Sequence, residues 1–285
     1  MGKPMSKNLL KAGYDLVVCG HVAKANLQEV IDAGAKAVAS PRDVAAQADV
    51  IITMLPNSPQ VREVVLGKNG IIEGVKRGAI FVDMSSIAPL VSRELAERLK
   101  EKGVEMLDAP VSGGEPKAIA GTLAVMVGGK KEVFEKCEPI FKAMAASAIL
   151  TGDIGAGNVT KLANQVIVAL NIAAMSEALV LATKAGVSPE LVYQAIRGGL
   201  AGSTVLDAKA PLVMKRKFDP GFRIRLHIKD LTNALETAHE VGAPLPLTAS
   251  VMEMMQALKV SDLGEADHGA LVRYYEKLAN AEVKP

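Results

Sequence analysis

From Asn158 to Ala185 the chain runs without a proline or a glycine, and the run stops at Gly186. Apolar residues dominate every side of it, so no polar stripe marks a solvent face. A helix that is apolar all round must be covered on most of its faces. This one segment divides the chain, because the patterns before and after it differ.

Before it, short β-rich runs alternate with amphipathic stretches. Residues 14–19 (YDLVVC), 50–54 (VIITM), 79–84 (AIFVDM), 104–109 (VEMLDA) and 123–128 (LAVMVG) are predicted strands. Helices are predicted over 24–33, 41–48 and 89–102, and Gly13, Gly34 and Gly103 stand where C-caps belong. Strand, helix, strand in this order predicts α/β architecture, a Rossmann-type doubly wound parallel sheet covered on both faces. After it, helical segments continue over 189–197, 226–241, 247–259 and 266–279. The expected organisation is a nucleotide-binding domain over 1–153 and an all-α domain over 154–285, the latter serving substrate binding and oligomerisation.

Composition narrows the function. Hydrophobic residues make up 49% and aromatics only 3%, which suits Ala, Val, Leu, Ile and Met helices packed on a sheet. The formal net charge is +2 and the basic residues are scattered, which argues against nucleic acid. Cys19 and Cys137 show no CxxC spacing and are expected to be reduced thiols of a cytoplasmic protein. No apolar run is read as reaching the roughly 20 residues of a membrane span, and the start lacks a signal peptide's pattern. The histidines show no metal-ligand spacing such as HExxH, so no metal is expected. The all-round apolar helix predicts a homo-oligomer, a dimer or a tetramer.

The chain opens as a helix already under way. In a dinucleotide-binding fold a strand and a Gly-x-Gly-x-x-Gly turn precede that helix, and Gly2 stands where the third glycine would be. The expectation is that a first strand and its turn belong before Met1. After the second strand, an Asp would bind the ribose of NAD and an Arg the phosphate of NADP. Here Cys19-Gly20-His21-Val22-Ala23-Lys24 offers neither signature.

Five motifs in order resemble the β-hydroxyacid dehydrogenases. They are Met54-Leu55-Pro56-Asn57, Asp83-Met84-Ser85-Ser86, Asp108 to Gly114 (DAPVSGG), Gly155 to Lys161 (GAGNVTK) and His227-Ile228-Lys229-Asp230. The stretch 198–207 (GGLAGSTVLD) resembles the branch that reduces tartronate semialdehyde. The resemblance implies an oxidoreductase acting on a small anionic semialdehyde or hydroxyacid with NAD, NADP being possible.

It also implies roles for individual residues. Lys161 is the expected catalytic acid: a partly buried ammonium polarises a carbonyl and releases its proton to the developing alkoxide. The Gly-x-Gly before it is read as letting cofactor and substrate come close. Ser112, Gly113 and Gly114 offer bare backbone N–H groups and a hydroxyl to a carboxylate. Asn164 and Gln165 share the Lys161 face of the helix, and either amide suits a substrate oxygen. Gly2, Leu55, Pro56, Gln60 and Ser86 are expected to line the cofactor, and Lys229 to close over the nicotinamide. A 3-hydroxyisobutyrate dehydrogenase shares every motif. A non-catalytic paralogue acting as a binding module stays open on the missing glycine turn and Gly20. An imine reductase is disfavoured by Lys161.

Overall fold

The computed structural model describes residues 1–20 and 24–284. His21, Val22 and Ala23, which follow the strand predicted over 14–19, lie outside the described residues. The chain forms two compact units, Met1–Lys161 and Leu162–Pro285.

The first unit begins with α1 (Gly2–Lys11), β1 (Val17–Val18), α2 (Lys24–Asp32), β2 (Lys36–Ala37) and α3 (Pro41–Ala45). There follow β3 (Val50–Thr53), α4 (Ser58–Leu66), α5 (Ile71–Gly74), β4 (Ile80–Asp83), α6 (Pro89–Lys100) and β5 (Glu105–Asp108). The unit continues through β6 (Val111–Ser112), α7 (Gly114–Ala120), β7 (Leu123–Gly128), α8 (Lys131–Lys142) and β8 (Ala145–Gly152). Gly13, Gly34 and Gly103 all hold positive φ, as αL caps between a helix and the next strand require.

Strands β1 and β2 form a parallel pair, and the remaining six form one sheet in the order β3-β4-β5-β7-β6, with β8 beside β7. Successive residues of β4 and β5 serve opposite faces. Phe81 and Met106 pack with Leu95, Leu99 and Val61 on one side. Val82 and Leu107 pack with Leu9, Val125 and Phe141 on the other. A strand covered on both faces has no reason to alternate with polar residues, which explains its continuous apolar reading.

The sheet is mixed and not the wholly parallel one expected. β3, β4 and β5 run parallel, but β7 is antiparallel to β5 and β6. The reason is local: β6 and β7 are joined by a short helix only, and so short a connection returns the chain antiparallel. Strand β8 escaped the sequence reading because AASAILTG is rich in small residues. It is largely exposed and is specified by its pairing with β7.

The 29-residue α9 (Ala156–Lys184) starts in the first unit and runs into the second. It is followed by α10 (Pro189–Ile196), α11 (Thr204–Met214), α12 (Ile224–Glu240), α13 (Pro246–Leu258) and α14 (Val272–Ala279). Helix α11 lies inside and beyond the stretch read as a family motif and was not expected; Ser203 caps it by accepting from the Leu206 N–H. The core of this unit gathers Ile172, Leu179, Ile224, Leu231 and Met255.

Among the described residues, α9 is the one helix long and apolar enough to cross a membrane, and 44% of its most apolar stretch is buried in the protein. This corrects the expectation that no run reaches that length. Single polar residues such as Asn171, Ser176 and Glu177 interrupt the run without lowering its average apolarity much.

Candidate active site

Three strand ends and the start of α9 build the first unit's polar centre. At the end of β3, the Thr53 hydroxyl donates to Asp83 Oδ1 at 2.8 Å, and the Ser85 N–H donates to the same oxygen at 3.1 Å. Ser85 Oγ in turn accepts the Leu55 N–H at 2.8 Å. The backbone at Leu55 is therefore fixed by the neighbouring strand end. Leu55 is half-buried, Pro56 and Gln60 are exposed, and Ser86 is half-buried. Burial pushes the Asp83 carboxyl up to about 6, against the bonds from Ser85 and Thr53 that pull it down.

Asp108, at the end of β5, grips the start of α9. Its Oδ1 accepts the Gly155 N–H at 2.7 Å and its Oδ2 accepts the Asn158 N–H at 2.6 Å. A carboxylate bonded to the first N–H groups of a helix satisfies orphan donors and complements the helix dipole. Burial raises Asp108's pKa, and the bonds from Asn158 and Gly155 oppose that rise. Asn158 extends the grip: its Oδ1 accepts the Ile87 N–H at 3.0 Å, and its amide donates to Ser92 Oγ at 3.1 Å. Lys161 lies on the first turns of this anchored helix and is 7% exposed.

Gly157 has a packing role that the sequence reading did not give it. A Cβ at Gly157 would stand 2.3 Å from the Asp108 carbonyl oxygen and 2.5 Å from that of Met126. Only a residue without Cβ lets α9 sit this close to β5 and β7. Ser112 ends β6, and Gly113 and Gly114 follow at φ +134° and +68°, conformations reserved in practice for glycine. Gly2 opens α1, where a Cβ would come no nearer than 4.0 Å to Met54.

The second unit holds its own buried polar chain. Asn164 donates its amide to Gln165 Oε1 at 2.8 Å, and Gln165 Nε2 donates to Asp230 Oδ2 at 2.5 Å. Asp230 Oδ1 lies 2.6 Å from the Lys229 ammonium. Lys229 is thus an ion-paired residue on α12 and not a loose arm. Gln165 is 4% exposed and Asn164 only half-buried, which separates the two amides that the sequence leaves equivalent. His227 Nε2 donates to the Gln165 carbonyl at 3.2 Å, and its Nδ1 shares a hydrogen bond with His268 Nδ1 at 3.0 Å.

Family models place this arrangement. Residues 1–155 match the NAD binding domain of 6-phosphogluconate dehydrogenase, and residues 155–275 match the NAD-binding domain of NADP-dependent 3-hydroxyisobutyrate dehydrogenase. The 2-hydroxy-3-oxopropionate reductase of Escherichia coli K12 is 44% identical over 98% of this chain and 95% of its own length. The chain belongs to the β-hydroxyacid dehydrogenase family. This β-hydroxyacid dehydrogenase is also 38% identical to the 2-(hydroxymethyl)glutarate dehydrogenase of Eubacterium barkeri, over 99% of the chain and 94% of that relative. Its fold matches the 3-hydroxyisobutyrate dehydrogenase of Mycobacterium tuberculosis, solved with L-serine, at a TM-score of 0.88. That likeness has 31% identity and covers 96% of this chain and 95% of the other. It is an NAD(P)-dependent oxidoreductase.

Sequence reasoning assigned no task to Asp83, Asp108, Asn158, His227 or Asp230. A usable signal was present: Asp83 and Asp108 both end apolar runs, and a carboxylate buried at a strand end needs donors nearby.

Proposed function

We propose that the chain reduces tartronate semialdehyde (2-hydroxy-3-oxopropanoate) to D-glycerate with NADH, with Lys161 as the proton donor. The observation that carries this reading is a buried lysine on a helix start whose first donors are clamped by Asp108. A proton donor works only if it is held in place, and this clamp holds the backbone beneath it. The overall likeness to the Escherichia coli reductase supports the substrate.

Gly2, Leu55, Pro56, Gln60 and Ser86 would hold the dinucleotide in the first unit. Helix α1 suits a pyrophosphate: its N-terminus has no side-chain cap and no acidic residue in the first turn. When bound, the nicotinamide supplies the hydride. The Lys161 ammonium gives its proton to the carbonyl oxygen, and the aldehyde becomes a primary alcohol. Ser112, Gly113 and Gly114 take the substrate carboxylate. In the second unit Gln165 is the amide assigned to a substrate oxygen, and Lys229 is assigned to the nicotinamide. The preference for NADH over NADPH rests on the resemblance to the tartronate semialdehyde branch. The two free thiols suit a reducing cytoplasm.

A second reading, oxidation of 3-hydroxyisobutyrate, is favoured by the match of residues 155–275 and by the Mycobacterium tuberculosis fold. Beyond the oxidation level of the reacting carbon, the two substrates differ at C2, which carries a hydroxyl in one and a methyl in the other. A site built to bond a hydroxyl rejects its analogue by as much as about 10⁴–10⁵. Side-by-side kcat/KM values for both substrates with both cofactors test the proposal. It predicts the highest value for tartronate semialdehyde with NADH, and a preference for the methyl-bearing substrate overturns it.

A further inference from the structure

One turn of α12 holds Gln165 at two points. Asp230 takes the side-chain amide, and His227, three residues earlier on the same helix, takes the backbone carbonyl. Both bonds have a fixed sense, because a carboxylate and a carbonyl only accept. The Gln165 amide therefore turns its nitrogen to Asp230 and its oxygen to the Asn164 amide.

His227 is itself backed. The ring of His268 lies beside it, both side chains buried, with Nδ1 facing Nδ1 at 3.0 Å and centroids 5.0 Å apart. Phe222 meets both rings edge-on, at 5.7 and 5.4 Å between centroids. The short turn His268–Leu271 is tied to the chain entering α12. The His268 N–H donates to the Phe222 carbonyl at 2.8 Å. Asp267 accepts the Gly221 and Phe222 N–H groups at 3.0 and 3.1 Å and the Lys209 ammonium at 2.8 Å. An imidazole enclosed in this way reaches α9 in one orientation.

Such rigidity bears on selectivity. A hydroxyl donates and accepts, as an amide does, whereas a methyl does neither. An amide that can turn finds another partner when a methyl arrives. One held at both ends is left with an unmade bond in a buried place, and that cost rejects the analogue.

We propose that the His227–His268 pair sets the preference for a hydroxyl over a methyl at C2 of the substrate, by fixing Gln165 against that position. The proposal rests on Gln165 bonding a substrate oxygen. Lys161, one turn earlier on α9, serves the carbonyl, and Ser112 to Gly114 take the carboxylate, so the oxygen left to Gln165 is the C2 hydroxyl. His227 and His268 are positioning residues that act through Gln165.

The whole chain tests this with tartronate semialdehyde and its methyl analogue, 2-methyl-3-oxopropanoate, read as the ratio of their kcat/KM values with NADH. His227→Phe should lower the ratio by about 3- to 10-fold, the worth of one hydrogen bond, with the loss falling on the hydroxyl substrate. His268→Phe should lower it in the same direction. His227→Gln, which can still donate to the carbonyl, should keep most of it. Circular dichroism accompanies each variant, and His268→Phe decides if His227→Phe does not fold. A fall shared equally by both substrates, with the ratio unchanged, overturns the inference. A ratio that collapses in Gln165→Leu but is untouched in His227→Phe and His268→Phe overturns the inference alone. A ratio that survives Gln165→Leu overturns the role of Gln165 and the inference together.

Discussion

Asp108 Oδ2 accepts the backbone N–H of Asn158 at 2.6 Å, so the end of β5 holds the first turn of the helix that carries Lys161. The same carboxylate holds Gly155, and Asn158 spends its side chain on Ile87 and Ser92. Strand end, helix start and the loop after β4 are one connected piece.

Asp108→Ala should therefore weaken both stability and turnover. It leaves two buried N–H groups without an acceptor, at about 1–3 kcal/mol each. Urea denaturation should show the loss, and kcat should fall more than KM for NADH rises. Unchanged stability would mean that solvent replaces the carboxylate at this helix start.

Gly157→Ala tests the packing role of the glycine. The added Cβ meets two backbone carbonyl oxygens closer than 3 Å, so α9 must move off the sheet. Overpacking of this kind costs about 1–3 kcal/mol. The loss should appear in thermal unfolding without any cofactor present. A normal melting temperature combined with weakened NADH binding would return the glycine to the ligand-access role.

How much of this was legible beforehand follows from what each residue answers to. The caps at Gly13, Gly34 and Gly103 and the long run ending at Gly186 obey local rules, and the structure has them. The turn of β7 against β5 and the existence of β8 depend on partners distant in sequence, which periodicity cannot name. The clamp on α9 was hidden for the same reason: 50 residues separate Asp108 from Asn158. Lys161 was visible only because a family pattern surrounds it. A lysine near a helix start is ordinarily a solvated residue, and its burial is a product of the fold.

Asp83 gives a pH-dependent test. Burial lifts its carboxyl from 3.8 to about 6, with Asp108 adding to the rise, so the folded chain holds this proton more tightly than the unfolded one. Stability contributed by this group is thus greatest in acid and falls as pH rises from about 4 to about 6. Asp83→Asn removes the titration and keeps an acceptor for Thr53 and Ser85. Between about pH 4.5 and about pH 7.5, the variant should gain roughly 2 kcal/mol relative to the wild type. Urea curves at the two pH values check it; a constant difference would mean Asp83 titrates normally.

The central claim is that Lys161 delivers the proton, and replacing it by alanine tests that most directly. NADH titration by fluorescence should give the same affinity for Lys161→Ala as for the wild type, because the ammonium acts on the carbonyl. With tartronate semialdehyde saturating at neutral pH, kcat should fall by about 10²–10⁴, the contribution typical of one positioned general acid. A variant that keeps more than about a tenth of wild-type kcat, against that expected loss, would show that another group supplies the proton.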